Sequence, residues 1–238
     1  MKDLAHLGTK KFREREGLVI VEGERCLAQL AAAGVPPREV YLAPGAPQQH
    51  PVVALAQAEA RYAVQPHQME RLTRAVSPPP IAALFEARTP PLPQGGHILF
   101  LDGIRDPGNL GAILRSAVAL GAAGVALSPD CCELFNPKVV QSALGAPFFF
   151  PCVTRERDWV LAWQGQVCAA HMQGTPAHEL PAPAGDALLV IGSEAHGVCD
   201  ELLARADVRV RIPQPGPMES LNAAVAAGIL LYAFLVRT

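Results

Sequence analysis

Three segments of this 238-residue chain gather glycine, proline and small polar residues directly behind runs that read as β-strands: residues 102–115, 192–197 and 212–222. In open α/β sheets ligands sit outside the carboxyl ends of the strands, so these loops are where chemistry is sought first. No G-x-G-x-x-G follows a strand, no G-K-[ST] phosphate loop occurs, and Gly108-Asn-Leu-Gly111 has the wrong spacing for a dinucleotide turn. An ordinary nicotinamide enzyme is therefore disfavoured. Taken singly, the polar residues have bland readings: Asn109 is a good N-cap, Pro107 a turn residue, Gly192 and Gly197 turn glycines, Glu194 a loop carboxylate, and Ser220 a first-turn serine. Arg115 resists such a reading. It follows Asn109 by six residues in a helical stretch of Ala, Ile and Leu, where an unpaired guanidinium is costly. Asn222 poses the same difficulty inside an apolar helix. The six cysteines (Cys26, Cys131, Cys132, Cys152, Cys168, Cys199) contain no C-x-x-C. Buried thiols are expected and no metal is assigned.

The elements that must position these loops follow from patterning. Half of the chain is apolar, 18% is charged, 5% is aromatic and the mean hydropathy is +0.20, which implies a packed globular protein with an Ala/Leu/Val core. The net charge of -2 excludes nucleic-acid coating by bulk charge. A small basic arm opens the chain (Lys2, Lys10, Lys11, Arg13, Arg15), to be read either as a solvated terminus or as a phosphate contact. The N-terminal residues lack the apolar core of a signal peptide, and the one long apolar helix carries polar positions. A cytoplasmic chain without a membrane span is expected.

A proline-rich seam, residues 88–96, divides the sequence into a small α/β domain (1–90) and a second domain (97–238). Before the seam, strands are expected at 18–23, 39–44, 62–64 and 81–86, with helices at 24–34, 52–60 and 68–75. After it, strands at 97–102, 125–128, 166–171, 187–192 and 207–213 alternate with helices, and an apolar segment lies at 148–153. Helices are expected from 110 to 120, at 138–144, at 200–206 and, long and nearly all apolar, at 219–236. Alternation of this kind predicts a largely parallel, helix-layered sheet.

Together the three loops carry a resemblance. LDGIRDPGNLGAILRSA, LLVIGSEAHGVCDELLARAD and RIPQPGPMESLNAAVAAGILLYAF resemble, in order and spacing, the three motifs of the SpoU (TrmH-like) branch of the SPOUT RNA methyltransferases. KKFREREGLVIVEGERCLAQL is loosely similar to the start of that family's small substrate-binding domain, which is similar to ribosomal protein L30e. Departures are modest. Ala195-His196 stand where relatives often have glycine, Gln214 where methionine is common, and Gln141 where a basic residue is frequent.

The resemblance implies an L30e-like domain followed by a SPOUT domain with a deep trefoil knot, S-adenosylmethionine in the knotted loops, and a homodimer formed through the second domain. By the same resemblance, backbone groups at Gly192, Ile212 and Leu221 hold the adenosine part of the cofactor. The implied reaction is methyl transfer to a ribose 2′-hydroxyl in RNA, ribosomal RNA in preference to transfer RNA. Arg115 matches the arginine to which the family's deprotonating role is given. A guanidinium is always charged, which favours instead phosphate binding and stabilisation of the developing alkoxide. Asn109 orients Arg115 or the ribose. Glu194 holds the arginine or faces the cationic cofactor, and Ser220 and Asn222 position the hydroxyl and the arginine. The competing class is a non-catalytic RNA-binding or ribosome-assembly factor on the same fold. Retention of all five polar residues argues against it.

Overall fold

The computed structural model describes residues 4–73, 75 and 77–236. In chain order the first elements are α1 (Lys10–Glu16), β1 (Leu18–Glu22), α2 (Glu24–Ala32), β2 (Glu39–Leu42), α3 (Pro51–Leu55), β3 (Arg61–Ala63), α4 (Pro66–Thr73) and β4 (Ile81–Glu86). Next come β5 (His97–Asp102), α5 (Pro107–Leu120), β6 (Gly124–Leu127), α6 (Pro137–Ser142), β7 (Cys152–Thr154) and α7 (Arg157–Leu161). β8 (Gln166–Pro176), β9 (Ala187–Gly192), α8 (Asp200–Arg205), β10 (Val208–Arg211) and α9 (Ala223–Leu235) complete the chain. Two compact units result. One takes the described residues up to Thr89 together with Glu133–Phe149; the other takes Pro90–Cys132 and the described residues from Phe150 onward.

The first unit is a four-stranded mixed sheet of order β1-β4-β2-β3, antiparallel except for the β2/β3 pair. Strand alternation sends Val19, Val21, Val40 and Phe85 into one core, and Ala82, Leu84 and Tyr41 into a second core closed by Leu4, Leu7, Met69 and Leu72. The segment Glu133–Phe149, which lies beyond the seam in sequence, joins the first of these cores through Val140 and Phe148. Polar contacts hold it as well. Gln141 Nε2 donates to Glu22 Oε1 at 2.8 Å, and burial holds that carboxyl above its ordinary range.

Arg13 is buried and forks onto Glu133, with Nε to Oε1 at 2.9 Å, while Nη1 donates to the Leu7 carbonyl at 2.9 Å. Loss of one partner from a buried pair of this kind costs about 3–5 kcal/mol. The basic arm is therefore neither frayed nor wholly available to phosphate. Residues 10–16 form a helix closed by Gly17 in the left-handed region, Lys10, Lys11 and Arg15 are exposed, and Lys2 lies outside the described residues. Burial pushes the Cys26 thiol up to about 12 and the Cys168 thiol up to about 11, so both act as small neutral core residues.

The second unit is a six-stranded, entirely parallel sheet of order β10-β8-β9-β5-β6-β7. The central strands β5 and β9 are buried along nearly their whole length, as their unbroken apolar runs require when helices cover both faces. One core contains Phe100, Val160, Val190 and Leu202, with Trp159 and Trp163 packed against it. Elsewhere α9 packs on α5 and β9.

The structure departs from the sequence expectations at several elements. The helix expected at 52–60 breaks after Leu55, and residues 58–60 form a 3-10 turn. β8 continues to Pro176, with a register shift against β10 between Arg209 and Val210. α7 was not anticipated, being only five residues long. The last helix begins at Ala223 rather than at 219: residues 212–222 form an irregular loop with bends, and Asn222 caps the helix. The expected helix at 68–75 runs from Pro66 to Thr73, and Arg74 lies outside the described residues.

Candidate active site

α5 is started by Asp106, not Asn109: the Asp106 carboxylate accepts the Asn109 N–H at 2.7 Å, Pro107 occupies the first helical position, and Gly121 closes the helix in the left-handed region. Asn109 is thereby freed from capping and sits in the first turn with its amide turned to side chains. Its Nδ2 donates to Glu194 Oε1, and its Oδ1 accepts from Asn222 Nδ2 at 2.9 Å. Asn222 in turn caps α9, with Oδ1 accepting from Ala224 N at 2.9 Å and Val225 N at 3.3 Å. One side chain from each of the three loops thus enters a single hydrogen-bonded set. The apparent cost of Asn222 in an apolar helix disappears, since it occupies the N-cap.

Arg115 is corrected in the same way. It lies on the exposed side of α5, so its guanidinium carries no burial penalty. Among the described residues it makes no hydrogen bond or ion pair. Six residues from Asn109 on a helix correspond to about 9 Å of rise and a rotation onto another face. The triad therefore does not hold Arg115, which leaves the guanidinium available to an anion from outside.

Gly192 ends β9, and the loop behind it folds sharply back. Gly197 N donates to the Ser193 carbonyl at 2.8 Å, and His196 N donates to Ser193 Oγ at 3.3 Å. A Cβ at Gly192 would overlap the Gly197 carbonyl and the Val198 nitrogen. The glycine is required by its own loop before any ligand is considered. Gly216, in contrast, has open space around it.

Beside this loop lies a cleft of about 420 Å³. It is lined by five of the sequence-predicted residues, Gly192, Glu194, Ile212, Ser220 and Leu221. Asn109 and Asn222 are tied to it through Glu194, while Arg115 is not among its lining residues. Its volume is within the range of about 300–1,000 Å³ typical of small-molecule sites.

A second polar group, absent from the sequence expectations, supports the loops. Asp102 ends β5 and is buried. Its Oδ2 accepts the Cys199 N–H at 3.0 Å, and Arg157 reaches its Oδ1 from Nε at 2.9 Å and from Nη2 at 2.6 Å. Arg157 Nη2 also meets Asp130 Oδ2 at 2.6 Å, and this bond to the guanidinium holds the Asp130 carboxyl below its ordinary range. The neighbouring turn is fixed by the Gly103 N–H on Ser128 Oγ at 2.9 Å and the Ile104 N–H on Cys131 Sγ at 3.3 Å. The one available signal in the sequence was an acid terminating the apolar run HILFLD; Asp130 and Arg157 have no local pattern that marks them.

Residues 96–232 match the model of the SpoU rRNA Methylase family, and residues 1–83 match that of the MRM3-like substrate binding domain. Over 98% of its length the chain is 31% identical to the 23S rRNA (guanosine(2553)-2'-O)-methyltransferase RlmP of Bacillus subtilis, of which it covers 94%. It is 30% identical to the mitochondrial rRNA methyltransferase 3A of Danio rerio, with 94% of this chain and 65% of that one aligned. The AdoMet-bound rRNA methyltransferase from Sinorhizobium meliloti superposes with a TM-score of 0.84 at 30% identity, covering 98% of this chain and 92% of that one. The SpoU methyltransferase AviRb from Streptomyces viridochromogenes, in complex with AdoMet, gives a TM-score of 0.77 at 27% identity over 97% and 94% of the two chains. With the family model spanning the parallel sheet and all three loops, this chain belongs to the SpoU rRNA methylase family.

Proposed function

We propose that the protein is an S-adenosylmethionine-dependent methyltransferase that modifies a ribose 2′-hydroxyl in ribosomal RNA. The observation that carries this reading is the Asn109–Glu194–Asn222 set, which joins three distant loops at the cleft of a SpoU-family chain. The relatives named above are rRNA methyltransferases, which favours ribosomal over transfer RNA as substrate.

The cleft suits the cofactor. It has the volume for a nucleoside-sized ligand, apolar walls from Ile212 and Leu221, and the Glu194 carboxylate to face a cation. Backbone groups at Gly192, Ile212 and Leu221 would hold the adenosine part. When bound, S-adenosylmethionine supplies a methyl group made electrophilic by its sulfonium. The chain then has to align the hydroxyl and provide for one proton. Ser220 and Asn222 orient the hydroxyl, and Asn109 links Asn222 to Glu194 so that the acceptor geometry persists. Arg115 binds the phosphate beside the target ribose and stabilises the developing alkoxide, remaining charged throughout. The proton leaves through phosphate or water.

In this reading residues 1–90 form the substrate-binding domain and residues 97–238 the methyltransferase domain, with the trefoil knot implied by the family resemblance. The protein acts in the cytoplasm as a homodimer. The exposed stripe Val225, Ile229 and Tyr232 on α9 supports the dimer, because its 4-3 spacing places these side chains on one helix face. Tyr232→Asp should shift the sedimentation coefficient from that of a dimer to that of a monomer; an unchanged value would exclude this face.

The test of function is transfer of a tritiated methyl group from S-adenosylmethionine to total RNA, followed by mapping of the 2′-O-methyl position. Arg115→Ala should lower turnover at least about 100-fold and leave cofactor affinity within a few fold. Turnover retained in that variant would remove Arg115 from the assignment, and absence of transfer by the wild type would support the assembly-factor alternative.

A further inference from the structure

The sheet of the first unit ends on β3, whose three residues Arg61, Tyr62 and Ala63 are all exposed. Tyr62 is 39% exposed, whereas its register partner on β2, Tyr41, is fully buried. The two rings stack, with centroids 5.7 Å apart and 22° between their planes. Tyr41 is itself immobilised: it packs in the core with Val64 and Met69, and its hydroxyl donates to the Glu39 carboxylate. The inner ring therefore acts as a fixed backing for the outer one. Among the described residues no strand pairs with β3 on its far side, so the outer face of Tyr62 has no ring or strand of the sheet beyond it.

Arg61 precedes Tyr62 on the strand and so leaves the opposite face of the sheet, where its Nη2 donates to the Ala56 carbonyl at 2.7 Å. An aromatic face ordered in advance loses little side-chain freedom when a flat ligand settles on it. Unpaired RNA bases stack on tyrosine in this manner, largely independent of base identity. A protein strand adding to the β3 edge would be held by main-chain hydrogen bonds and would have no need of the ring.

We propose that Tyr62 is a stacking platform for an unpaired base of the RNA substrate. This rests on the reading of the protein as an RNA methyltransferase and adds the surface that captures the strand.

The test measures binding and methylation of ribosomal RNA by the full chain. Tyr62→Ala should raise KM for RNA roughly 10- to 100-fold, with kcat at saturating RNA and S-adenosylmethionine affinity within about twofold. Tyr62→Phe and Tyr62→Trp should retain wild-type KM. Tyr62→Leu preserves apolar contact with Tyr41 without a π-face, so it guards against loss of folding and should behave as Tyr62→Ala. Wild-type KM in the Leu variant overturns the stacking platform. So does a variant that binds naked RNA normally and fails only on ribosomal particles, since that outcome assigns the edge to a protein partner. A wild-type chain that neither binds nor methylates RNA sinks the functional reading as well, whereas normal wild-type methylation with an unaffected Leu variant sinks this inference alone.

Discussion

Two polar clusters of the parallel-sheet unit serve the same loops in opposite ways. Asp102, Arg157 and Asp130 form an ionic group at the strand ends, with Asp102 buried and every strong contact made within the chain. Asn109, Glu194 and Asn222 form a largely exposed group at the cleft, where each side chain still has capacity for further bonds. A buried carboxylate is tolerated only when its lone pairs are met, so Asp102 is committed to structure. The exposed amides suffer little desolvation and remain available to a ligand. Position relative to water, more than residue type, separates the scaffold from the reacting surface.

Substitution tests that division. The largest effect is expected at Asp102→Ala, which strands the Cys199 N–H and removes one of the two acceptors of Arg157. Stability of the second unit should fall by about 2–4 kcal/mol in chemical denaturation, with cofactor binding weakened as the loop after β9 loosens. An unchanged melting curve would show that the ionic group does not support the loops. A smaller loss, about 1 kcal/mol, is expected for Asn222→Ala, because only the cap of α9 is removed. Methyl transfer should fall much further in this variant than stability does. Parallel losses of activity and stability would erase the distinction between the two clusters.

Much of the architecture was legible because it repeats locally. Continuous apolar runs such as 97–102 and 187–192 can be satisfied only by central strands, and both form them. The end of α5 was equally plain at Gly121, while its start was read three residues late, at 110 behind an Asn109 cap, where Asp106 caps the helix instead. The loops that build the site were marked by composition, and five of the eight expected residues line one cleft. Arg115 and Asn222 show the weak point of linear reading. Both were judged costly on the assumption that they were buried, and neither is.

What the linear chain determined by itself was the set of elements, the seam and the three polar loops, since strand and helix periods and turn chemistry act over a few residues. What only the tertiary structure decided was partnership across long separations. Asn109 meets Glu194 and Asn222 far along the chain, Arg13 finds Glu133, Asp102 finds Arg157, and the segment Glu133–Phe149 packs with the first unit. Such contacts depend on which surfaces the sheets bring together, and side-chain hydrogen bonds leave no periodic trace in sequence from which they can be read.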